Sequence, residues 1–130
     1  VLRNIPGREK PIMKVKVSQK DGVAVVKINS DIPQEFSSLL ENRLSELLDD
    51  GVARFIIDLE DASYLNSRGL AILLTMKKEA VKKGGDIILV KANYLIHNLL
   101  TITRIIKKVT LCQTVEEAEA ILGSDHVRDQ

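Results

Sequence analysis

Tryptophan is absent from this 130-residue chain, and phenylalanine and tyrosine occur only twice each. So few rings leave no platform on which nucleic-acid bases could stack. The charges offer no substitute: 19 basic residues stand against 18 acidic ones, and a net charge of +1 gives no reason to expect a nucleic acid or a membrane surface as the main partner. The single cysteine, Cys112, excludes an internal disulfide, reads as a small buried hydrophobe, and fits a reducing compartment. With His97 and His126, the only two histidines, Cys112 lacks the spacing of a zinc site. No apolar run approaches the roughly 18 residues that a bilayer span needs. Val1 to Lys10 is short, polar and broken by Pro6-Gly7, so no signal peptide is visible there. Walker loop, Gly-x-Gly-x-x-Gly and Gly-x-Ser-x-Gly are all missing. The expectation is a cytoplasmic protein that is not an enzyme, with no catalytic residue, metal or cofactor.

What is present suffices for one domain with its own core. Residues 1–11 read as a loose arm, 12–123 as the domain and 124–130 as a disordered tail. Met13 to Val17 alternates apolar and polar, as does part of Val23 to Ile28, and Asp21-Gly22 between them is a strong hairpin signal. Phe36, Leu39, Leu40, Leu44, Leu47 and Leu48 form one helical stripe that starts near Pro33 and stops at Gly51. Phe55 to Ile57 reads as a strand covered on both faces. A helix from about Ser67 to Lys83 follows, then Gly84-Gly85 and a buried strand, Asp86 to Val90, which makes a parallel crossover. Tyr94, Leu95, Leu99 and Ile102 suggest a third helix, and Val109 to Cys112 a short edge strand. A capping box at Thr114 to Glu117 opens a last helix with Ala118, Ile121 and Leu122 on its apolar face and Gly123 as its stop. The fold class is α/β: a mixed sheet, with an N-terminal hairpin and parallel crossovers, packed with about four helices.

The most informative stretch is Asp58-Leu-Glu-Asp-Ala-Ser-Tyr-Leu-Asn-Ser-Arg-Gly-Leu-Ala-Ile-Leu-Leu74. It leads from a strand through a polar loop into an apolar helix, with Ser67 where the helix begins. The first N–H groups of a helix lack partners and its dipole end is positive, so a phosphate on Ser67 would be tolerated locally, with Arg68 able to supply a counter-charge. The bland reading of Ser67 is a helix cap. Leu70 to Leu74 admits two readings, a flank buried by neighbouring helices or an apolar strip that a partner covers. Lys77, Lys78, Lys82 and Lys83 read as a solvated face near the helix end. Glu60-Asp61 reads as turn residues.

Leu59 to Leu70 resembles the signature of the STAS family, named for sulphate transporters and anti-sigma factor antagonists. The resemblance runs from about Met13 to about Leu122 and is strongest between Phe55 and Val90. Ser67 falls on the serine that family members have phosphorylated, and Gly69 and Leu70 match as well. The chain departs from the pattern at Asn66 (usually Asp), at Arg68 (usually Ser or Thr), and at Ser30 to Pro33, where the family has Gly-Glu-Leu-Asp. Arg104 stands where the family has a glycine. The resemblance implies an anti-sigma factor antagonist that works by partner switching. Its partner would be an anti-sigma factor with serine-kinase activity, bound while Ser67 is unphosphorylated and released on phosphorylation; ATP would belong to that kinase. The implied contact surface is Asp31, Pro33, Gln34, Asn66, Ser67, Arg68, Gly69, Leu70 and Leu73. The alternative is a STAS module that is never phosphorylated and serves as an interaction or scaffold domain, binding a sensor protein or itself as a weak homodimer. Family precedent for binding nucleotide or another small ligand makes a third reading, with no residue here to carry it.

Overall fold

The computed structural model describes residues 15–28 and 34–128. Asp31 and Pro33, the expected arm at 1–11 and the last two residues lie outside them. β1 (Val15–Lys20) and β2 (Val23–Ile28) pair antiparallel, with Lys20 opposite Val23. The two residues between them are Asp21 at φ +55° and Gly22 at φ +80°. A two-residue hairpin needs positive φ at both positions to match the strand twist, and Asp-Gly supplies it at low cost. Then come helix α1 (Gln34–Asp49), β3 (Arg54–Asp58), α2 (Ser67–Lys82), β4 (Asp86–Val90) and α3 (Tyr94–Ile102). A short 3-10 turn at Ile105–Lys107, β5 (Thr110–Cys112) and α4 (Val115–Arg128) follow.

The sheet runs β1-β2-β3-β4-β5, its spatial order the same as its order in sequence, and every pair after the hairpin is parallel. All three parallel crossovers advance in one direction, so a constant hand places their helices on one face. Alternation along the strands does the rest. Ala24, Val26, Phe55, Ile57, Ile87 and Leu89 face the core shared with α1, α2 and α3, whereas Val23, Ile56, Ile88 and Val90 face Ala118 and Leu122 of α4. The mixed sheet with four helices is the expected fold.

Entry into β4 depends on Gly85. Its N–H donates to the Ala80 carbonyl at 2.8 Å, and Asp86 N–H donates to the Ala53 carbonyl at 3.0 Å. This close approach leaves no room for a side chain: a β-carbon at Gly85 would overlap the carbonyl oxygen of Ala53.

Several expectations are corrected by packing. The last helix does not stop at Gly123; it continues to Arg128. In α1, Leu39 is half exposed while Leu40, Leu44, Leu47 and Leu48 are buried. In α3 the inward residues are Ile96 and Leu100, while Tyr94 and Ile102 are 76% and 79% exposed. An apolar-rich helix of nine residues offers more than one stripe, and the short path from β4 to β5 selects which one turns inward. Ile121 in α4 is also partly exposed.

Candidate functional site

The loop from Leu59 to Asn66 joins β3 to α2 at the carboxyl ends of the parallel strands, the edge where open α/β sheets tend to bind ligands. Three buried side chains anchor it, Leu59, Ala62 and Leu65. The rest is tied down by polar groups. Asp58, buried at the end of β3, accepts a hydrogen bond from Glu60 N–H at 3.0 Å and lies 3.8 Å from the Lys91 ammonium. Glu60 Oε1 is 3.4 Å from both Lys27 and Lys91, and Lys27 is 3.6 Å from Asp61. Glu60 and Asp61 are therefore ion-pair partners that link β2, β3 and β4, and not turn residues alone. The charge of Lys91 first, and then Lys27, holds the Glu60 carboxyl below the usual carboxylate range. Asp61 and Glu60 raise the Lys27 ammonium in return.

Asn93 makes the second tie, one that the sequence reading missed. Its Oδ1 accepts from Ile96 N–H at 2.9 Å, capping α3, and its Nδ2 donates to the carbonyls of Ala62 (3.3 Å) and Ser63 (3.0 Å). An asparagine just before a helical run is a legible cap signal. Its grip on a loop 30 residues away is not.

Helix α2 starts at Asn66, in extended conformation, whose Oδ1 accepts from Gly69 N–H at 2.7 Å. The capping role therefore belongs to Asn66. Ser67 is the first helical residue; it is exposed, and its hydroxyl has no hydrogen-bond partner among the described residues. A hydroxyl that does no capping can be modified without removing a cap. The neighbouring guanidinium leans away: Arg68 Nη2 donates to Ser38 Oγ on α1 at 3.4 Å.

Burial revises the expected contact surface. Leu70 and Leu73 are 5% and 3% exposed, and Gly69 is buried. α2 lies between the sheet and α1, so its apolar flank is the interior seam, and these three residues shape the site without lining it. The outward line of the helix is Ser67, Arg68, Ala71 and Thr75. A shallow groove of about 290 Å³ between α1 and α2 runs along that line, bordered by Glu41, Arg68, Ala71, Ile72 and Thr75. Gln34 opens α1.

A family model for the STAS domain matches residues 14–118. The chain belongs to the STAS domain family. Solved structures share this STAS fold. One is a candidate anti-sigma factor antagonist from Thermotoga maritima, with 21% identity, 83% of this chain and 93% of that one covered, and a TM-score of 0.79. Another is an anti-sigma factor antagonist from Mycobacterium paratuberculosis, with 24% identity, coverage of 87% and 96%, and a TM-score of 0.78. The anti-sigma factor antagonist SpoIIAA in its unphosphorylated form is similar at 19% identity, coverage of 90% and 98%, and a TM-score of 0.66; a phosphorylated form of SpoIIAA is known from Bacillus.

The remaining surface of this STAS domain has a crevice of about 530 Å³ beside the site, bordered by Glu60, Lys91, His97, Leu111, Cys112 and Gln113. Burial, then the Glu117 carboxylate, raises the Cys112 thiol above its usual value. Glu60 and Lys91 pair with each other there, 3.4 Å apart. Among the described residues, no three His, Cys, Asp or Glu side chains gather to hold a metal, and no helix is long and apolar enough to cross a membrane.

Proposed function

We propose that this STAS domain is an anti-sigma factor antagonist that acts by partner switching at Ser67. The observation that carries the reading is the exposed Ser67 hydroxyl at the first position of α2, with the cap supplied by Asn66 instead. Unphosphorylated, the chain binds an anti-sigma factor with serine-kinase activity through Asn66, Ser67, Arg68, Ala71 and Thr75, with the Asp31 to Gln34 segment as a further expected contact. Phosphorylation adds a charge of about −1.5 to −2 at a helix start, where the free N–H groups and the dipole tolerate it. The domain therefore keeps its fold. The partner instead meets a bulky anion where it had met a neutral hydroxyl, and a hundredfold loss of affinity needs only about 2.7 kcal/mol. The similarity to antagonists that include SpoIIAA, known in both forms, supports this reading.

Asn66, Arg68 and Pro33 favour a second reading, a module that binds constitutively, because a cation replaces a hydroxyl beside the serine and the acids of the family pattern are replaced at Asn66 and Pro33. One experiment separates the two. The protein is mixed with an anti-sigma serine kinase and ATP, and its intact mass and fragment map are taken. One added phosphate at Ser67 with loss of the complex supports switching. A stable complex without a mass change sinks switching and leaves the module.

A further inference from the structure

The far end of α2 carries a second surface that partner switching does not use. Leu74, Lys77, Lys78, Val81, Lys82 and Lys108 border an open groove of about 420 Å³ with an almost wholly apolar floor. Leu74 and Val81 lie seven residues apart, two helical turns on one side of α2, and Val81 is 52% exposed. Four ammonium groups surround them. Lys77 is held by Asp86, and Lys82 lies 3.5 Å from Glu79 in an exposed pair. Lys78 and Lys108 have no acidic partner among the described residues. In a chain whose net charge is only +1, this is a local concentration of positive charge around exposed aliphatic surface.

We propose that this groove docks an acidic amphipathic helix of a partner protein. The floor matches aliphatic side chains spaced i and i+7 on a helix, the spacing by which a helix reads a groove. The rim matches carboxylates flanking that stripe, and charge complementarity there sets the sign of the partner. Occupants from this chain fit less well. Residues 1–14 carry Arg3, Arg8, Lys10 and Lys14 against Glu9 and would be repelled. α4 is acidic at Glu116, Glu117 and Glu119, but its Ala118 and Leu122 are already buried on the opposite face of the sheet. The rim has no aromatic ring on which a base could stack. Ser67 and Val81 are 14 residues apart on one helix, a rise of about 21 Å, so a partner held here leaves the Ser67 end open.

The test uses a fluorescent synthetic peptide, helical, with leucines seven apart flanked by glutamates, titrated by anisotropy. Controls are the scrambled peptide and one with lysines for the glutamates. The helical acidic peptide is expected to bind, with NMR shifts confined to residues 74–82 and 107–109. Affinity should fall at least about tenfold in the K78E/K108E double variant and in Val81→Asp, and Ser67→Glu should leave it unchanged. Both variants alter exposed positions, and unchanged circular dichroism checks their folding. No binding up to about 1 mM peptide overturns the proposal. So does equal binding of the scrambled peptide, retained affinity in both variants, or a preference of the groove for anionic vesicles or a second copy of the chain.

Discussion

At Asn66 and Arg104 single backbone positions set local stability in opposite directions. Asn66 satisfies the Gly69 N–H at the start of α2, and Asn66→Ala should cost about 1 kcal/mol in chemical denaturation, most of it recovered by Asn66→Ser. An unchanged midpoint in Asn66→Ala would mean that water replaces the cap at no loss. Arg104 has φ +66° where the chain turns out of α3 into the 3-10 segment. A side chain there is strained, so Arg104→Gly should gain about 1 kcal/mol, less some unfolded-state entropy. The family pattern puts glycine at this place, and the backbone supplies the reason. Ser67 shows what a sequence can and cannot say at this scale. Its place at a helix start is legible from the motif. That its hydroxyl is spared from capping depends on which of two adjacent polar residues takes the extended conformation.

Helix α2 divides its residues between an interior seam and an outward line, and substitutions should separate along that division. Leu73→Ala leaves a cavity in the core and should cost about 2–5 kcal/mol. Ala71→Arg, on the exposed line, should change stability by less than about 0.5 kcal/mol yet abolish capture of the anti-sigma factor in a pull-down. Retained capture would move the contact surface off α2. Gly85→Ala should be among the most damaging exchanges, about 3 kcal/mol or more by thermal unfolding, because the β-carbon meets backbone that cannot yield. Element by element, much of this was legible. The Asp21-Gly22 hairpin, the strand–helix–strand unit and the Thr114 box are local codes; in the last, Glu117 N–H donates to Thr114 Oγ1 at 3.0 Å and Glu117 accepts from the Thr114 N–H. What failed was the choice of face. α3 has a broad apolar face beside His97, Asn98 and Thr101, so periodicity offered Tyr94, Leu95 and Ile102 where tertiary packing took Ile96 and Leu100. For Leu70 and Leu73, where the residues allow a buried flank or a contact strip and the family resemblance implies contact, the structure shows the buried flank: a sequence gives spacing along a helix but not the side from which the neighbouring helix arrives.

Across the whole molecule, the ion pairs at the strand ends make stability depend on pH. Glu60 has a carboxyl lowered from its ordinary value of 4.5, so its contribution is present above that value and is lost as pH falls through the lowered one. Lys27, raised from 10.5, contributes below that value and loses its contribution as pH climbs through the raised one. The melting temperature of Glu60→Gln should therefore lie below that of the parent near neutrality and merge with it in acid; a gap that stays constant with pH would remove Glu60 from the account. Both side chains are exposed, so the gap at neutral pH should be small. The sheet order has a consequence of another kind. Each strand pairs with its immediate predecessor in sequence, so no strand must wait for a distant one. The chain can add one strand and one covering helix at a time, in the direction in which it is synthesised. The second face of the sheet is closed by the docking of α4, which shields Ile56, Ile88 and Val90. Until it arrives, a nascent copy presents a bare sheet face, and that interval is when the protein is most exposed to aggregation and to chaperones.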